Sequence, residues 1–84
     1  MNIYQNELQN FRPDDEIQSY SPHSWTLNYN FISTAGHGYL VVPKEDKNYS
    51  IAVKIADYGY KGDHAVYLEE DCEAGEFIDI INLK

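Results

Sequence analysis

The stretch HAVYLEEDCEAGEF, residues 64–77, sets five carboxylates and the chain's only cysteine directly behind a short apolar run. Cys72 is the one candidate nucleophile. A reactive cysteine needs a stabilised thiolate, and a position one turn into a helix lets the dipole help. Its neighbours Glu69, Glu70, Asp71, Glu73 and Glu76 oppose a further negative charge and raise the thiol's pKa. The expectation is an unreactive thiol packed against the sheet as a small apolar filler. Structural zinc favours close ligand pairs such as Cys-x-x-Cys or His-x-x-x-His, and His23, His37, His64 and Cys72 form none. No metal, cofactor or catalytic residue is therefore assigned.

Two further features carry chemistry of other kinds. In GHG, residues 36–38, flanking glycines can adopt positive φ and display His37 at a loop tip, a loop site for acid–base work or ligand binding. The structural counterpart is a tight connection in which His37 is hydrogen-bonded to a neighbour. Neither the phosphate-loop pattern nor a helix-opening G-x-G-x-x-G occurs. An enzyme, ligand-binding or metal-binding reading requires His37, His64 and Cys72 to converge in one pocket.

The acidic segment is the second feature. Glu69, Glu70, Asp71, Glu73, Glu76 and Asp79 fall within eleven residues that hold no lysine or arginine. One or two acids suit a helix start; the surplus must face solvent or a partner. Tyr58 and Tyr60, around Gly59, are suited to anchoring an interface because they bury area at little entropic cost. With Tyr39 and Tyr67 they would form a patch of rings framed by carboxylates.

These residues need elements to hold them. Trp25, Leu27, Tyr29 and Phe31 alternate with polar residues and predict a strand over 25–32; STAGHG breaks it, and 38–43 reads as a second strand closing an antiparallel hairpin. Residues 47–56 fit both periods. Ile51 with Ile55, and Ala52 with Ala56, stack at helical spacing, which favours a helix with Gly59 near its stop. HAVYL predicts a third strand over 64–68. Ala74, Phe77, Ile78 and Ile81 lie at i, i+3, i+4 and i+7, one face of a helix over 72–81. Residues 1–23, with two prolines and no sustained period, read as an irregular arm packed through Phe11, Ile17 or Tyr20. The expected fold is α+β: one compact domain over 24–84, a three-stranded, mainly antiparallel sheet with two helices on one face, in the order β-β-α-β-α.

Composition bounds the partners. The 84 residues carry 14 Asp and Glu against six Lys and Arg, a net charge of −8. Phosphates and anionic membranes require a basic surface, and six scattered cations do not build one. A basic protein surface is the complementary partner; solubility alone is the simpler use of the charge. A single cysteine excludes an internal disulfide, no apolar run approaches a membrane span, and MNIYQNELQN lacks a signal peptide's basic start and apolar run. The expected location is the cytoplasm.

GHGYLVVP, YGY and VYLEEDCEAGEF, within residues 31–78, resemble a family of small proteins encoded by phages, plasmids and bacterial genomes. The resemblance implies a compact α+β module and a mobile-element setting, and it supplies no activity or catalytic residue. The functional expectation is an acidic interaction module, in its specific form an inhibitor whose carboxylates imitate phosphates in a nucleic-acid groove. An accessory domain without an acidic interface is the remaining alternative.

Overall fold

A computed structural model describes residues 2–24, 26 and 28–83. Its elements are α1 (Ile3–Phe11), β1 (Ile17–Pro22), β2 (Asn30–Thr34), β3 (Gly38–Pro43), α2 (Tyr49–Ile55), β4 (Tyr60–Lys61), β5 (Ala65–Glu69), a π-helical turn (Glu70–Ala74) and α3 (Gly75–Asn82). The five strands form one antiparallel sheet in the order β1-β2-β3-β5-β4. This corrects the expected three strands and two helices, while the α+β class stands.

The physical reason lies in the two central strands. Gly38–Val42 and Ala65–Leu68 are buried at every position, without the alternation of a half-exposed sheet. Such runs belong to strands covered on both faces. Register pairs Leu40 with Leu68 and Val42 with Val66. These four side chains meet Ala52, Ala74, Phe77 and Ile78 from α2, the π turn and α3. On the opposite face Tyr39, Val41, Ala65 and Tyr67 cluster with Ile32 and with Leu8 of α1. The helices therefore cover both faces, and the N-terminal segment supplies the second cover.

That segment is not an irregular arm. Asn2 caps α1: its Oδ1 accepts the Gln5 N–H at 2.9 Å, and Gln5 Oε1 accepts the Asn2 N–H at 3.0 Å. Only Leu8 of this helix is fully buried, so its apolar face is a narrow stripe. β1 is an edge strand whose register shifts between Ile17 and Ser19, and the irregularity destroys the period of two. Pro22 stands at its end, where an edge strand tolerates a missing donor.

Of the hairpin expected over 25–32 and 38–43, the first strand begins later, at Asn30. Trp25 and Leu27 lie outside the described residues. Tyr29 precedes β2, buried, with its ring edge-on to Phe77 at 5.4 Å and its hydroxyl donating to Asp46 Oδ2 at 2.8 Å. The ambiguous segment is helical over Tyr49–Ile55.

Candidate functional site

The acidic segment divides by side-chain direction. Glu70, Asp71, Glu76 and Asp79 are exposed, and Glu69 is half-buried with Oε1 capping the Asp71 N–H at 3.1 Å. Glu73 faces inward and is only 3% exposed. Its carboxylate accepts the backbone N–H of Tyr58, that of Gly59 at 2.8 Å and that of Glu69 at 3.4 Å. Glu73 is thus a structural clamp on the loop before β4, not part of a partner-facing surface. Among the described residues the one ion pair joins Arg12 and Asp15, so none of the exposed helix carboxylates is paired.

Cys72 is exposed, not packed against the sheet. Glu73 and Ala74 take the inward positions beside it. Partial desolvation, then the charges of Glu69, Asp71 and Glu73, push its thiol above the ordinary value.

The tyrosines do not form one patch. Tyr58 is 71% exposed beside the Glu73 clamp. Tyr60 lies on the α1 face, stacked on Phe11 at 4.9 Å, and its hydroxyl accepts from Arg12 Nη1 at 3.0 Å. Tyr39 and Tyr67 are core residues. Burial, chiefly, pushes the Tyr39 hydroxyl up to about 12, so it stays protonated.

His37 sits exposed in the β2–β3 turn, as a displayed loop residue would. Its carbonyl accepts the Thr34 N–H at 2.8 Å and its N–H donates to Thr34 Oγ1 at 2.9 Å. The flanking glycines do not supply positive φ; among the described residues no glycine has it. Gly38 is needed for another reason: a Cβ there would lie 2.3 Å from the Phe31 ring. His64 stands at the far end of β3, where its carbonyl accepts the Lys44 N–H at 3.0 Å. Six strand residues at about 3.4 Å each put roughly 20 Å between the two ends, so His37, His64 and Cys72 do not share a pocket. Among the described residues no group of three or more His, Cys, Asp or Glu is arranged to hold a metal ion.

Two groupings escaped the sequence reading. The first is centred on Glu7 of α1, whose carboxylate accepts the N–H of Asp63 at 2.7 Å, of His64 at 3.1 Å and of Ala65 at 3.3 Å, together with the Tyr67 hydroxyl at 2.7 Å. Desolvation works against the charged form, but the bonds from Tyr67, His64, Asp63 and Ala65 prevail and hold this carboxyl below its usual range. Gly62 makes the approach feasible, since a Cβ there would lie 2.1 Å from Glu7 Oε1. A lone Glu beside a lone Leu in a polar segment gives no signal of such a role.

The second grouping surrounds the β2–β3 turn. Glu16 accepts the Ala35 N–H through its carbonyl at 3.0 Å, and Asp15 Oδ2 accepts the Thr34 hydroxyl at 2.7 Å. On the other side, Glu70 Oε2 would be 3.2 Å from a Cβ at Gly38. The acid triplets 14–16 and 69–71, far apart in sequence, therefore border one turn. Beside it a cavity of about 390 Å³ opens between the end of α1 and His37.

Comparison with family models, curated proteins and solved structures finds no match to the chain. No helix among the described residues is long and apolar enough to cross a membrane.

Proposed function

We propose that this protein is an acidic interaction module that docks on a basic surface of another protein. The observation that carries the reading is the outward side of the π turn and α3. Glu70, Asp71, Glu76 and Asp79 are exposed there, with no cation neutralising them among the described residues. Exposed acids that serve capping alone would be fewer; Glu69 and Glu73 already take the local backbone donors. A field of one sign steers a basic partner and speeds encounter. Tyr58, 71% exposed beside this helix, supplies an aromatic anchor.

In its specific form the module is an inhibitor encoded by a mobile element, acting in the cytoplasm, with its carboxylates occupying a groove that otherwise holds phosphates. The free cysteine is in keeping with a reducing compartment. The test begins with capture of a partner from the producing cell and continues with association kinetics across a salt series. The triple change Glu70→Gln, Glu76→Gln and Asp79→Asn is expected to slow association about tenfold or more at low salt, with the melting temperature nearly unchanged. Unaltered association kinetics would reduce the acidic face to a solvated surface. For the inhibitor form, the partner's nucleic acid must be displaced by this protein; simultaneous binding of both would overturn it.

A further inference from the structure

The cavity beside the β2–β3 turn has a composition that the acidic helix does not explain. Phe11 belongs to the lining, stacked on Tyr60 at 4.9 Å yet 42% exposed. Arg12 is in the lining too, but its Nε is bonded to Asp15 at 3.1 Å and its Nη1 to the Tyr60 hydroxyl at 3.0 Å. Its charge is therefore already matched. Asp14, also in the lining, is exposed and takes part in no hydrogen bond or ion pair among the described residues. Gly36 adds no side chain to the lining, and nothing stands within 4 Å of where its Cβ would be. One arginine against two aspartates gives the lining a net negative charge.

We infer that this cavity is a socket for one arginine side chain of the basic partner. The inference rests on the interaction reading above and extends that interface from α3 around the β2–β3 turn. A guanidinium stacks on an open aromatic face and forms paired hydrogen bonds to a carboxylate, the two groups offered here by Phe11 and Asp14. A cavity of about 390 Å³ lies at the small end of the roughly 300–1,000 Å³ range of ligand clefts. It accommodates one long side chain and no folded element. An anion is disfavoured, because two aspartates flank the single arginine, whose Nε and Nη1 already donate to Asp15 and Tyr60.

The test uses amide chemical-shift titration of the full chain with Nα-acetylarginine amide, its citrulline counterpart and N-acetylglycine. Arginine amide is expected to give saturable shifts at Phe11, Asp14, Gly36 and His37, with citrulline about tenfold weaker. Phe11→Ala and, independently, the surface change Asp14→Asn are each expected to weaken the arginine probe about threefold or more. Shifts confined to residues 69–79 would overturn the socket while leaving the α3 reading intact. Saturable shifts at the cavity alongside an inert α3 triple variant would retain the socket and remove the α3 reading. Equal citrulline binding, preference for N-acetylglycine, or no saturable shift at tens of millimolar arginine amide would each overturn the socket.

Discussion

The Glu73 carboxylate accepts the backbone N–H of Gly59 at 2.8 Å, while the Tyr67 carbonyl oxygen lies 2.0 Å from where a Cβ at residue 59 would stand. Residue 59 is squeezed between a buried acid and a strand backbone, and the backbone carbonyl has no cheap way to retreat. Glu73→Ala would leave the Tyr58 and Gly59 donors unpaired and is expected to cost about 2–4 kcal/mol. Gly59→Ala is expected to cost at least about 2 kcal/mol through the backbone clash. Urea denaturation measures both; a loss below about 0.5 kcal/mol for either would mean the clamp is absent in solution.

The Glu7 cluster predicts an acid-sensitive stability. Its folded carboxyl is held below the ordinary value, so the cluster contributes its full stability above about pH 4.3. That contribution is lost as pH falls through the lower, folded value. Glu7→Gln is expected to lower stability at neutral pH and to flatten the decline on the acid side. Parallel pH–stability curves for the two proteins would contradict this.

Phe77 is fully buried and meets Tyr29 edge-on. Phe77→Ala is expected to cost about 3–5 kcal/mol by lost burial and cavity formation. Equilibrium unfolding reads the difference directly, and a loss below about 1 kcal/mol would place the ring outside the core.

Cys72 is accessible but set among carboxylates. It is expected to react with a neutral thiol reagent more slowly than free cysteine at pH 7, with labelling accelerating as pH rises. Cys72→Ser is expected to change stability by no more than about 0.5 kcal/mol, since it alters an exposed side chain. Labelling as fast as free cysteine would show that the acids do not govern the thiol.

What the sequence made legible was the set of elements with strong periods. β3, β5 and the inward face of α3 follow from apolar runs and i, i+3, i+4 spacing. The unbroken burial of YLVV and AVYL also implied cover on both faces, and so a further helix; that implication is visible only when the runs are read as two-sided. α1, β1 and β4 lacked signals for different reasons. α1 fully buries a single Leu, β1 is bulged, and β4 is two residues long. In the site, the number of acids was readable but their direction was not. Glu73 turns inward within a π-helical turn, which charge counting does not register. Tyr58 and Tyr60 diverge because β4 begins only at Tyr60.

Glu7 and Tyr67, joined at 2.7 Å, stand 60 residues apart in the chain. On a ribosome α1 is made well before Ala65 and Tyr67, which it covers. A helix with one fully buried side chain has little stability by itself. During synthesis it waits as loose chain until the last central strand emerges, so the sheet closes its second face only after residue 67 has been made. Closure of that face therefore waits on a contact across 60 residues, and a pause placed before residue 65 would leave Ile32, Tyr39 and Val41 uncovered for its whole duration.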